Sequence, residues 1–179
     1  MRTQKERHIE MLFYMNELEQ NGIPFKQKFP ANDFLAAPAS AKYHGAYAGG
    51  LFDHSFEVMT ALQELTDGMG LSWERQESPI IIGLFHDLCK IDNYILDADT
   101  GGYSHNDENI IDGHGEKSII YMQKYIDLTD EEIACIRWHM GAYETDTKKW
   151  NYFGRAIEKY PNVLYTHMAD MIASKIVGV

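Results

Sequence analysis

Apolar side chains recur at three- and four-residue intervals along most of the chain, a spacing that predicts a succession of helices rather than strands. Ile9, Leu12, Phe13 and Leu18, with Met11 and Met15 nearby, predict a packing helix over residues 3–21, and His8 falls on its exposed start. Asn21-Gly22 ends it, with Pro24 just beyond. Pro24, Pro30 and Pro38 then interrupt the pattern, predicting a loop with a short helical turn near residues 33–37. The pair Gly49-Gly50 lets backbones approach closely before the next helix, over 51–66, which aligns Leu51, His54, Val58, Leu62 and Leu65 on one stripe. His54 is thus expected to face the core.

The stretch SPIIIGLFHDLCK, residues 78–90, is the most apolar of the chain. Ser78 can cap a helix and Pro79 can begin it, while Ile80, Ile81, Ile82, Leu84, Phe85 and Leu88 leave almost no polar face. A central buried helix is predicted, with His86, Asp87 and Lys90 at its end. Beyond it, a small β-hairpin near 94–104 and an irregular excursion both fit, and His105 lies among polar neighbours that place it in solvent. A further helix begins near His114 and spaces Ile119, Met122, Gln123 and Ile126 on one face. Thr129 and Glu132 form a capping box that opens a helix carrying Ile133, Ile136, His139 and Met140, ending at Gly141. Residues 146–151 are polar; 153–160 predict a short helix; and the last helix, 161–176, sets Val163, His167, Asp170 and Ser174 in a row. There is no internal repeat, so the expected organisation is one all-α domain over 1–179. Residues 1–37 pack on a metal-binding core of 38–179.

Composition narrows the function. The chain has 179 residues, 45% of them hydrophobic, enough for a real core. Sixteen basic against 27 acidic side chains give a net charge of −11, which disfavours duplex nucleic acid and favours small substrates. Cys89 and Cys135 are far apart and form no CxxC pair, so neither a disulfide frame nor a thiolate zinc finger is expected. With a charged amino-terminal stretch and no run of eighteen apolar residues, a cytoplasmic protein without membrane contact is the expectation.

The chemistry lies in polar residues on otherwise apolar faces. His54, the pair His86-Asp87, His139 or the nearby His114, and Asp170 come from different helices. A buried, ionised carboxylate without a partner costs several kcal/mol, so something must compensate Asp87 and Asp170. Mixed nitrogen and oxygen ligands from facing helices are one way helical proteins hold divalent ions.

In order, the motifs GGLFDHS, GLFHDLCK, GHGEKS and THMADMIAS resemble those of the HD-domain metal-dependent phosphohydrolases, over nearly the whole chain from residue 38. The stretch APASAKYH is similar in particular to the HD domains of bacterial 3′-5′ exoribonucleases. The resemblance implies an all-α HD bundle in which His54, His86, Asp87 and Asp170 hold one metal. Asp87, His114 and His139 would be catalytic and complete a second metal, and Lys90, Lys42 and His44 would contact substrate. The ion would be Mn, Fe, Co, Ni, Zn or Mg, one or two per chain. Where paired histidines are common this chain has Trp138-His139-Met140, Cys89 stands in place of a glycine, and His167 is expected in a supporting or packing role. The implied activity is hydrolysis of a phosphate ester of a small phosphorylated substrate such as a nucleotide. Its alternatives are 3′-5′ cleavage of short single strands and a catalytically silent metal- or nucleotide-binding module.

Overall fold

The computed structural model describes residues 2–141 and 147–179; Asp146, within the polar stretch noted above, lies outside them. The described residues form eight α-helices and one two-stranded antiparallel sheet. The helices are α1 (Gln4–Gln20), α2 (Ala31–Ala36), α3 (Gly50–Met69), α4 (Ser78–Phe85), α5 (His114–Met122), α6 (Asp130–Trp138), α7 (Trp150–Lys159) and α8 (Asn162–Met171). Strands β1 (Tyr94–Leu96) and β2 (Tyr103–His105) pair with Tyr94 opposite His105 and Leu96 opposite Tyr103. The protein is an all-α bundle with one small hairpin, and His105 at its end is exposed. Among the described residues, no helix is long and apolar enough to cross a membrane.

Local signals account for most element ends. Thr3 and Glu6 form a capping box at α1, and Thr129 and Glu132 form another at α6, each satisfying two amide donors that a helix start leaves open. Gly22 has a φ of 82°, in the left-handed region where glycine is at no disadvantage, and the chain leaves α1 there. The Gly49-Gly50 pair does what its composition predicts: a Cβ at Gly50 would lie 2.0 Å from the Gly45 carbonyl oxygen, so no side chain fits where the two segments cross.

The core consists of two adjoining apolar clusters with α3 and α4 at their centre. Phe34, Phe52, Leu84 and Phe85 anchor the first; Val58, Leu62, Ile82, Ile136 and Val163 anchor the second. The axes of α3 and α4 approach closely because Gly83 presents no side chain, and a Cβ there would fall 2.3 Å from the Met59 Cα. Every residue of α4 is buried.

Three expectations need correction. First, α1 does not bury Ile9, Leu12 and Phe13, which are 56%, 46% and 61% exposed; it buries Arg7, Met11 and Leu18. The Arg7 guanidinium pairs in bidentate fashion with buried Asp53 of α3 (Nε to Oδ1 2.9 Å, Nη2 to Oδ2 2.8 Å), and the Tyr47 hydroxyl donates to the same carboxylate. Breaking this pair would leave an uncompensated buried charge, so together with buried Met11 and Leu18 it favours the observed rotation of the helix. Second, Ser78 is not the cap of α4. Glu77 occupies the cap position, and the Ser78 hydroxyl instead donates to Oε1 of buried Glu132, 2.8 Å away. Third, the central helix stops at Phe85 instead of running to residue 90. A tight 3₁₀ turn, Leu88–Ile91, follows and folds Lys90 back over Asp87. The last helix likewise changes character, with α8 continuing as a π-helical segment, Ile172–Val177.

Candidate metal centre

The end of α4 delivers His86 and Asp87 into the middle of the bundle, where α3 supplies His54, the end of α6 supplies His139 and α8 supplies Asp170. His54, His86 and His139 are completely buried, Asp87 nearly so, and the Asp170 side chain retains 15% exposure. The three imidazoles share one arrangement. His86 Nδ1 lies 2.9 Å from the Gly83 carbonyl oxygen, His139 Nδ1 2.7 Å from that of Ile136, and His54 Nδ1 2.9 Å from the Val179 main-chain oxygen. A carbonyl can only accept, so each Nδ1 carries the hydrogen and donates it, leaving Nε2 to face inward.

Those inward atoms have no hydrogen-bond partner among the described residues. His54 Nε2, His86 Nε2, His139 Nε2 and Asp87 Oδ1 are all buried and unsatisfied. Around Asp87, His86 Nε2 lies 3.4 Å and His54 Nε2 3.7 Å from Oδ2, while His139 Nε2 lies 3.5 Å from Oδ1; His54 Nε2 is 3.2 Å from Asp170 Oδ1. Ligands about 2.1 Å from a common ion stand roughly 3.0–3.5 Å apart, the spacing of neighbouring corners in octahedral or tetrahedral geometry. The donor set fits a divalent cation by separation, by burial and by its mixture of imidazole and carboxylate. Two overlapping groups result: His54, His86 and Asp170, and His86, Asp87 and His139.

Charge is balanced on the protein side by Lys90, whose Nζ lies 2.6 Å from Asp87 Oδ2. Burial by itself would raise the Asp87 pKa, but the Lys90 ammonium, with contacts from His86 and His139, outweighs burial and holds the carboxyl well below the usual range. Asp170 follows the same logic: burial raises its pKa, and contact with His54 plus the other imidazoles lowers it further than burial lifts it. For Lys90, burial disfavours the ammonium, yet the Asp87 carboxylate overrides it and keeps the lysine charged.

The remaining expected residues divide. His44 is half-buried with its ring 4.9 Å from that of His54, and burial followed by the proximity of His54 lowers its pKa to about 4, so it is neutral at pH 7. Lys42 is exposed and does not line the cleft described next. His114, the first residue of α5, groups with Asp87 and Cys89. His167 donates from Nδ1 to the His139 carbonyl oxygen, 2.8 Å away, and so steadies the end of α6.

A cleft of about 620 Å³ opens on His114, lined among others by Asn93, Asn109, Arg137, Met140 and Lys149. Its wall is braced by Lys117, which is buried and donates to Asp92, Asn93 and Asn109 at 2.6–2.7 Å. Neither this brace nor the Arg7–Asp53 pair is legible in the sequence. Both depend on partners far away in the chain, and the asparagines carry no periodic signal.

The family model described as HD domain matches residues 51–173. That span contains every side chain of the buried cluster. Comparisons with curated proteins and with solved structures return no match.

Proposed function

Because this chain belongs to the HD-domain family, whose members are metal-dependent phosphohydrolases in general, we propose that it hydrolyses a phosphate ester of a nucleotide or similarly small phosphorylated compound. The observation that carries this reading is the convergence of buried, unsatisfied His54 Nε2, His86 Nε2, His139 Nε2 and Asp87 Oδ1 on one another. Such groups are costly to keep unless something binds them.

In this reading His54, His86, Asp87 and Asp170 hold one cation, and His139 faces the other oxygen of Asp87. A divalent ion bound there supplies Lewis acidity, lowering the pKa of water towards neutrality and offsetting charge on a phosphoryl oxygen. The chain's own contribution is preorganisation. The carbonyls of Gly83 and Ile136 fix two imidazole tautomers, and complete burial of those rings keeps bulk water from them. Lys90 holds Asp87 by its Oδ2, so we assign it a positioning role alongside any phosphate contact. Of the two imidazoles that line the cleft, His105 and His114, His114 also groups with Asp87, and we assign it the substrate contact. A cleft of about 620 Å³ suits a nucleotide-sized ligand, within the ordinary range for small-molecule sites.

A second reading, stepwise 3′-5′ cleavage of a short single strand, is favoured by one observation. A surface groove of about 480 Å³, lined by Arg137, Trp138, Lys149, Tyr152, Arg155 and Lys159, adjoins the cleft through Arg137 and Lys149. Cations interleaved with aromatic rings suit successive phosphates and bases.

A panel of nucleotides, cyclic dinucleotides and 3′-hydroxyl oligonucleotides, each assayed with several divalent metals, tests both. Metal-dependent release of phosphate or nucleotide by the wild type, lost in Asp87→Ala, is the expected result. Equal inactivity of the two proteins across the panel would count decisively against phosphohydrolysis. Progressive shortening of an oligonucleotide would select the second reading, and turnover of mononucleotides alone would discard it.

A further inference from the structure

The 3₁₀ turn Leu88–Ile91 carries a thiol that the centre described above does not use. Cys89 is completely buried, and its Sγ lies 3.5 Å from His114 Nδ1. The position is fixed from both sides. The Cys89 amide donates to the Ser118 hydroxyl on α5, 3.1 Å away, which ties the turn to the helix that begins with His114. Asp87 completes the set, since Asp87, Cys89 and His114 each offer one ligand atom and these atoms all lie within 4.8 Å of one another. The buried Asp87 Oδ1 has no hydrogen bond among the described residues. This second observation, independent of the cysteine, points to a ligand.

We propose that Asp87, Cys89 and His114 form a further cation site that shares Asp87 with the buried cluster, with a thiolate ligand that selects zinc-like ions over magnesium or manganese. The spacing supports it. Sulfur about 2.3 Å and nitrogen about 2.05 Å from a tetrahedral ion stand roughly 3.6 Å apart, close to the observed sulfur–nitrogen separation. Coordination forms a metal–sulfur bond and releases the thiol proton to solvent, as structural and catalytic thiolate sites do. Three protein ligands leave a tetrahedral ion one open position, and one of the three, His114, lines the 620 Å³ cleft. Soft sulfur among the ligands favours Zn²⁺ and Co²⁺ over hard, oxygen-seeking Mg²⁺. The site rests on the reading that Asp87 belongs to a metal centre, but neither Cys89 nor His114 belongs to the group formed by His54, His86 and Asp170, so the two can fail separately.

The competing explanation is a thiol that merely donates a hydrogen bond to His114. Titration of the metal-stripped full chain with Co²⁺ separates them, because only a thiolate ligand gives a sulfur-to-cobalt charge-transfer band in the near ultraviolet. The expected result is a band that grows with bound cobalt, is abolished in Cys89→Ser together with one metal equivalent, and is unchanged in Cys135→Ser. His54→Ala should keep the band while losing a different equivalent. Should His54→Ala bind the full complement with the band intact, the His54-centred reading fails and this one stands. A cobalt-saturated wild type without the band, or a band that survives Cys89→Ser, overturns the proposal. Cadmium-113 resonance of the wild type gives a reading that needs no variant: a signal in the thiolate-ligated region supports the site, and signals confined to nitrogen- and oxygen-ligated positions overturn it.

Discussion

Removing divalent metal should destabilise the whole fold, by an amount that follows from the buried cluster. Three imidazole nitrogens and one carboxylate oxygen are buried there without hydrogen bonds among the described residues. Each unsatisfied buried polar atom costs about 1–3 kcal/mol, so the set carries roughly 4–12 kcal/mol that a bound cation relieves. The observable part depends on occupancy. An ion at a hundred times its dissociation constant stabilises by about 2.7 kcal/mol. For a chain of this size each kcal/mol shifts the melting temperature by about 2–4 °C, giving an expected rise of about 5–11 °C. The assay is thermal unfolding of chelator-stripped protein, followed by separate re-addition of Mn²⁺, Fe²⁺, Co²⁺, Ni²⁺, Zn²⁺ and Mg²⁺. His54→Ala should lose most of the response, since it removes a ligand from the buried set. If stripping and every re-addition leave the wild-type midpoint unchanged, or if His54→Ala responds like wild type, the reasoning from orphaned atoms is wrong.

Three further outcomes test the scaffold. Asp53→Ala strands the Arg7 guanidinium, which is only 6% exposed, and should cost about 3–5 kcal/mol in urea unfolding; a loss near zero would mean the pair does not favour the observed rotation of α1. Gly83→Ala forces a methyl into the Met59 backbone and should cost about 1–3 kcal/mol through separation of α3 and α4, detectable as a lowered denaturation midpoint and disproved by an unchanged one. Burial, then the hydrogen bond to Asp53, raises the Tyr47 pKa to about 12, so its contribution to stability is complete below the ordinary tyrosine value near 10 and lost as pH rises towards 12. Tyr47→Phe should therefore flatten the fall in stability between about pH 10 and pH 12; identical alkaline limbs for the two proteins would refute this.

The residues of the buried cluster were legible early because each breaks a local pattern. His54, His86-Asp87, His139 and Asp170 interrupt apolar helical faces, and a polar exception on such a face is visible within a single turn of sequence. The capping box at Thr129 and the close approach at Gly49-Gly50 are equally local, and the fold honours both. Ser78 shows the boundary of this kind of inference. Its composition suits a helix cap, yet Glu132, which the same local rules place in the α6 capping box, also accepts its hydroxyl.

By itself, then, the sequence determined the helical elements, the family and the identity of the polar side chains that converge, since all of these follow from periodicity and short motifs. Tertiary structure alone decided which face of α1 is buried, because the answer depends on Arg7 meeting Asp53 across 46 residues. It also decided where the central helix stops and which histidine meets which partner. His139 joins His86, whereas His114 meets Cys89, and no spacing along the chain encodes that division. The physical reason is the same throughout. Buried charges and orphaned polar atoms are far more costly than misplaced apolar ones, so they select their partners across the fold, and helical periodicity adjusts to them.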